Sequence, residues 1–163
     1  MEHLLLLTKV MLLLGVANGT PILARKLFKD RFAWPLDGGL RFIDGRPLFG
    51  HSKTIRGLVL SLLGTTLAAP ALGFDWQLGL TVGAFAMLGD LTSSFGKRRL
   101  DRPTSSRAVG LDQIPESLFP LLACQDRLGL QLWDVVLLVL LFIALELLLS
   151  RLLYRLRIRE QPY

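Results

Sequence analysis

The chain has 163 residues, one cysteine and two histidines, is 52% hydrophobic and carries a formal net charge of +6. Its length suits a single domain, residues 1–163; the lone Cys124 excludes an internal disulfide, and with His3 and His51 far apart in sequence it excludes a Cys/His metal cluster. The hydrophobic residues collect in long runs parted by basic, Gly/Pro-containing stretches, which predicts an all-α integral membrane protein and turns its positive charge toward lipid headgroups and nucleotide phosphates rather than nucleic acid.

Five transmembrane helices are expected in chain order, at residues 4–23, 55–72, 77–95, 111–124 and 132–153. The first is interrupted near Asn18-Gly19-Thr20-Pro21. It lacks the basic leader of a signal peptide, and Lys9 breaks its apolar run, either pairing with an acid or snorkelling to the surface. Residues 25–34 mix basic and aromatic side chains and read as an interfacial helix or as a plain basic loop. Gly79 and Gly83 form a GxxxG packing notch on the third span. The fourth span is short and carries Pro115, Glu116 and Pro120. The fifth is apolar all round, with Glu146 its only charge across 135–149, so a soluble helix would have no face for water. Trp76 and Trp133 suit the outer interface.

Charge sets the orientation. With the N-terminus outside and five crossings, all but Lys9 and Arg127 of the 19 Lys/Arg residues face the cytoplasm, in the segments 25–56 and 97–107 and the tail that includes Arg157 and Arg159. Without the fourth crossing the basic tail would lie outside. The expected location is therefore the cell membrane, multi-pass, with polar loops on the cytoplasmic side.

Two of those loops carry unusual residues. The first reads Pro35-Leu36-Asp37-Gly38-Gly39, then Asp44-Gly45-Arg46-Pro47, then Gly50-His51-Ser52-Lys53-Thr54-Ile55-Arg56-Gly57. Glycines let backbone approach a phosphate, and Lys53, Thr54 and Arg56 add donors at a helix N-terminus, so the segment reads as a phosphate cradle or as an ordinary capped basic turn. It is not a Walker A loop, because His51-Ser52 separates Gly50 from Lys53. The second loop reads Gly89-Asp90-Leu91-Thr92-Ser93-Ser94, then Lys97-Arg98-Arg99, then Asp112-Gln113. Asp90 near the inner end of one span and Asp112 at the start of the next can hold Mg²⁺ between them, or serve as caps and ion-pair partners. Lys97, Arg98 and Arg99 can neutralise phosphates or anchor the helix at the membrane surface.

Together and in this order the motifs resemble the CDP-archaeol synthase family, distant relatives of phosphatidate cytidylyltransferase, from near Asn18 to near Cys124. The resemblance implies five membrane helices with cytoplasmic catalytic loops. It implies transfer of CMP from CTP to an isoprenoid ether glycerol phosphate, with release of pyrophosphate. By position, Asp90 and Asp112 would hold Mg²⁺, Lys53 and Arg56 would act on the triphosphate with Lys97 and Arg98 nearby, and Ser94 would lie by the nucleotide or metal. Gly38, Gly39 and Thr54 would contribute to nucleotide and phosphate binding. One departure stands out: family members often carry an acid three places after the aspartate of Asp-Gln, where this chain has Pro115, with Glu116 next along. The reaction joins two anions, so positioning and cationic stabilisation carry most of the catalysis. Alternative readings are a phosphatidate cytidylyltransferase acting on ester lipids, a CDP-alcohol phosphotransferase, of whose motif only Asp37-Gly38 is present, and a membrane transporter or lipid-binding scaffold. The sequence leaves homo-oligomer formation open.

Overall fold

The computed structural model describes residues 1–103 and 110–155, with side chains described as far as Arg151. Arg107, Arg157 and Arg159, which entered the charge argument, lie outside the described residues, as does the side chain of Arg155. The described chain is helical: α1 (Glu2–Phe28), α2 (Ile55–Ala71), α3 (Trp76–Arg99), α4 (Gln113–Ala123), α5 (Gln125–Leu128) and α6 (Leu132–Arg155). Its β structure, among those residues, is two isolated bridges in the α1–α2 loop, Pro35 with Thr54 and Arg41 with Pro47. Helices α1, α3 and the stretch Leu132–Arg151 of α6 are long and apolar enough to cross a membrane, and α2 is a shorter apolar helix of 17 residues. Leucines such as Leu12, Leu67, Leu140 and Leu148 stand exposed on these helices, as lipid-facing positions do.

Helix α1 does not break at Asn18–Pro21 as the sequence suggests. Pro21 has no N–H, so the carbonyl of Ala17 loses its helical partner. The Ser61 hydroxyl of α2 donates to that carbonyl at 2.7 Å, in a buried contact. The Thr20 hydroxyl donates back to Val16 O at 2.8 Å and the Asn18 Nδ2 to Leu14 O at 3.1 Å, so each polar side chain finds a partner within the helix. The helix then runs to Phe28 and takes in the start of the 25–34 segment, the rest of which is turn. Lys9 extends toward the α2–α3 turn, with its Nζ beside Gly73.

Helix α3 is the hub, packing against α1, α2 and α4, while α6 lies on α4 and α1. Two glycine contacts bring its neighbours close. A Cβ on Gly79 would stand 2.3 Å from Thr65 O and one on Gly83 2.4 Å from Thr65 Oγ1, so the GxxxG notch seats α2. On α3's α4 side, a Cβ on Gly89 would stand 2.1 Å from Pro115 O and 2.7 Å from the Glu116 nitrogen. The apolar core runs between α1 (Leu7, Val10, Leu14), α4 (Leu121) and α6 (Leu138, Phe142).

Two boundaries differ from the sequence reading. Helix α3 continues to Arg99, so Asp90 lies within the helix rather than near its end. The fourth predicted span, 111–124, is an 11-residue helix followed at once by α5. Pro115 falls in the first turn of α4, where its missing N–H costs no helical bond.

Candidate active site

The α1–α2 loop is built around Asp37. Gly38 and Gly39 adopt φ of 55° and 83°, a left-handed pair that favours glycine, and the chain folds back so that the Asp37 carboxylate accepts from Gly39 N at 3.0 Å. Its other oxygen accepts from Phe49 N at 2.9 Å and Gly50 N at 3.0 Å. Burial pushes the Asp37 carboxyl upward, but the backbone donors of Phe49, Gly39 and Gly50 outweigh it and hold the group below its ordinary value. Leu36 N to Lys53 O (2.8 Å) and Ile55 N to Trp34 O (3.1 Å) then close the loop onto the start of α2. Thr54 is the α2 N-cap, its hydroxyl accepting from Gly57 N at 3.2 Å.

This closure places Lys53 just ahead of α2 and against the middle of α3. Its Nζ donates to Asp90 Oδ1 at 2.5 Å, with both side chains about one-fifth exposed. Glu116, carried in by the Gly89–Pro115 approach, lies beside Asp90, and Glu146 of α6 and Lys53 lie within electrostatic reach of it. Asp112, at the N-terminus of α4, pairs instead with Lys97 at 2.8 Å, and both are buried. Lys97 stands about two turns, or about 10 Å, beyond Asp90 along α3. The two aspartates thus occupy successive levels of one α3–α4 crossing, each facing a lysine. Ser94 is buried one turn past Asp90, and Arg98, close to Asp112, donates from Nη2 to Pro103 O at 2.9 Å.

Arg56, expected to act with Lys53 on the triphosphate, turns the other way. Lys53 precedes the helix, whereas Arg56 sits in its first turn near α1, and its Nη1 donates to Lys29 O at 3.0 Å and to Arg31 O. It lies 6.0 Å from the Phe28 ring centroid. Arg56 therefore satisfies carbonyls just after α1. Sequence reasoning also passed over Glu116 as a site residue, although its offset from the usual acidic position was visible. Arg99, read from the sequence as a phosphate neutraliser or helix anchor, reaches into the α1–α2 loop.

Among the described residues, no three His, Cys, Asp or Glu side chains gather closely enough to cage a metal. Mg²⁺ needs no such cage: it keeps several waters and takes one or two carboxylates plus substrate phosphates. The carboxylate oxygens of Asp90, Glu116 and Asp112 are donors of the kind that hard cation prefers. An open cleft of about 160 Å³ lies in the α1–α2 loop, lined by Pro35, Asp37, Arg41, Pro47, Gly50 and His51.

The chain matches known proteins over most of its length. The family model CarS-like: CDP-archaeol synthase matches residues 72–163. A CDP-archaeol synthase of Sulfurisphaera tokodaii is 34% identical over 154 residues, covering 91% of this chain and 84% of the relative. That of Pyrobaculum calidifontis is 33% identical over 153 residues, covering 91% of each. A solved structure described as an intramembrane enzyme for archaeal membrane lipids biosynthesis superposes with a TM-score of 0.70 at 29% identity, over 87% of this chain and 90% of that one. The polar crossing of α3 and α4 and the loop that closes on it thus belong to a chain of known kinship: this protein is a member of the CarS-like CDP-archaeol synthase family.

Proposed function

We propose that this protein transfers CMP from CTP to an isoprenoid ether glycerol phosphate, giving the CDP-lipid and pyrophosphate. The observation that carries the reading is the contact of Lys53 with Asp90, which brings the glycine-rich loop onto a partly buried acid inside a hydrophobic helix. Its relatives' names supply the reaction. We further infer five crossings, with α2 and α4 the short ones, and loops that face the cytoplasm, a reading that the charge distribution supports.

An oxygen of the lipid phosphate attacks the α-phosphorus of CTP. The bond from that phosphorus to the bridging oxygen of the β-phosphate breaks, and pyrophosphate leaves with its electron pair. The nucleophile is already anionic, so no strong base is needed. Lys53 and Lys97 offset the charge of the phosphates as the anions meet, and the loop amides and the α2 N-terminus hold the triphosphate. Asp90 and Asp112 would hold Mg²⁺, with Glu116 fixing or extending the carboxylate set. Bound there, the ion would supply orientation and charge neutralisation.

The test is purified protein in detergent with CTP, Mg²⁺ and lipid phosphates bearing ether-isoprenoid or ester-acyl tails, assayed for pyrophosphate and CDP-lipid. Turnover with the ether substrate is expected, and chelation of Mg²⁺ stops it. No pyrophosphate with either lipid rejects the reading, and turnover confined to the ester lipid moves the substrate to phosphatidic acid.

A further inference from the structure

The end of α3 holds a cluster that the reaction chemistry does not use. The Arg99 guanidinium lies 4.9 Å from the centroid of the Phe42 ring and 4.7 Å from that of Phe95, and the two rings meet edge to face at 5.2 Å. The same guanidinium pairs with Asp44 at 3.1 Å and donates to Pro47 O at 2.8 Å. Arg46 answers from the loop side, donating from Nη1 to the carbonyls of Arg98 and Arg99. The clamped loop segment is a small hairpin closed by Phe42 N to Arg46 O (2.8 Å), Gly45 N to Phe42 O (2.9 Å) and Leu48 N to Leu40 O (2.9 Å). Arginine is suited to this position because one planar fork can stack on rings while binding a carboxylate and a carbonyl, which a lysine ammonium cannot do.

The hairpin forms one wall of the loop cleft. Arg41 and Pro47 line the cleft from the hairpin side, and Asp37, Gly50 and His51 from the other. Lys53 is two residues from His51, and its carbonyl is bonded to Leu36 N, so cleft and lysine are parts of one closed loop. The cleft is small, about 160 Å³, and open on one side, so it can seat a base or a sugar ring while the rest of a nucleotide lies outside it. We propose that Arg99 is a positioning residue: by pinning the Phe42–Pro47 hairpin to the end of α3 it fixes the cleft that receives the nucleoside end of CTP, while the triphosphate lies at Lys53. This rests on the cytidylyl-transfer reading above.

The test is a double-mutant cycle on full-length protein, with Arg99→Ala, Arg99→Lys, Asp44→Asn and Phe42→Leu, reading the KM for CTP and for the lipid phosphate separately from kcat. Arg99→Ala raises the KM for CTP about tenfold, kcat stays within about twofold and the KM for the lipid is unchanged. Arg99→Lys falls between. Asp44→Asn raises the KM for CTP in the wild-type background and adds nothing to Arg99→Ala, because the partner is already gone. Asp44→Asn and Phe42→Leu change only the loop and keep the test informative if Arg99→Ala does not fold. An active wild type whose Arg99, Asp44 and Phe42 variants keep the wild-type KM for CTP overturns the inference alone, as does an equal rise in both KM values. A wild type that releases no pyrophosphate overturns the reaction and this inference together.

Discussion

Replacing Gly89 with alanine presses on the point where α3 and α4 come closest. The added Cβ would stand 2.1 Å from Pro115 O, a backbone atom that cannot swing aside as a side chain can. Ordinary carbon contacts begin near 3.4 Å, so the helices must part by about 1 Å at this level. Overpacking of this kind costs about 1–3 kcal/mol, of which alanine's better helix propensity returns about 1 kcal/mol. The loss of stability is therefore small. The effect on chemistry is larger, because Glu116 rides on the displaced backbone and lies beside Asp90. A displacement of about 1 Å in a reacting constellation costs about 100-fold in rate. The assay is pyrophosphate release alongside thermal unfolding in detergent, with Gly96→Ala as the control on the same helix, since nothing lies within 4 Å of a Cβ there. Gly96→Ala keeps wild-type turnover. Wild-type kcat in Gly89→Ala would falsify the claim that this crossing positions the acids.

The acids themselves separate by level. Asp90→Asn and Asp112→Asn each abolish transfer while the protein still inserts, whereas Glu116→Gln lowers kcat by about 10–100-fold; full activity in Glu116→Gln returns that residue to a packing role. Ser61→Ala strips the buried Ala17 carbonyl of its donor and lowers stability by about 1–3 kcal/mol, read by unfolding in detergent, and an unchanged midpoint would mean that α1 satisfies Pro21's gap by itself. Asp37 has its carboxyl below the ordinary 3.8, so its contribution to the loop is present at neutral pH and is lost only as pH falls below the usual carboxylate range. Asp37→Asn should remove that contribution at neutral pH and speed hydrogen exchange at the Phe49 and Gly50 amides; equal exchange in both proteins would show that the loop is held elsewhere.

The long apolar runs make the spanning helices readable in the sequence, because a bilayer demands length and hydrophobicity that composition displays directly. What the sequence hides is decided by a second element. Pro21 reads as a break until Ser61 from α2 is seen to take the freed carbonyl. Glu116 reads as misplaced until Gly89 lets the backbone of α4 close on α3. Lys53 and Arg56 look like neighbours of one role, yet the helix boundary at Thr54 sends one toward Asp90 and the other toward α1. Arg98 and Arg99 look interchangeable in the sequence, but one ties Pro103 and the other grips Asp44 and two phenylalanines.

Helix α4 has only 11 residues, about 16 Å of rise against a hydrocarbon slab of about 30 Å. Even with the turn of α5 added, its two ends cannot reach both faces of an undistorted bilayer. With the α5 end held at the outer surface, the Asp112 end would open below headgroup level, in a notch rather than on a flat surface. A glycerophosphate head can sink sideways into such a notch while its tails stay immersed, so substrate capture requires no lifting of the lipid out of its leaflet.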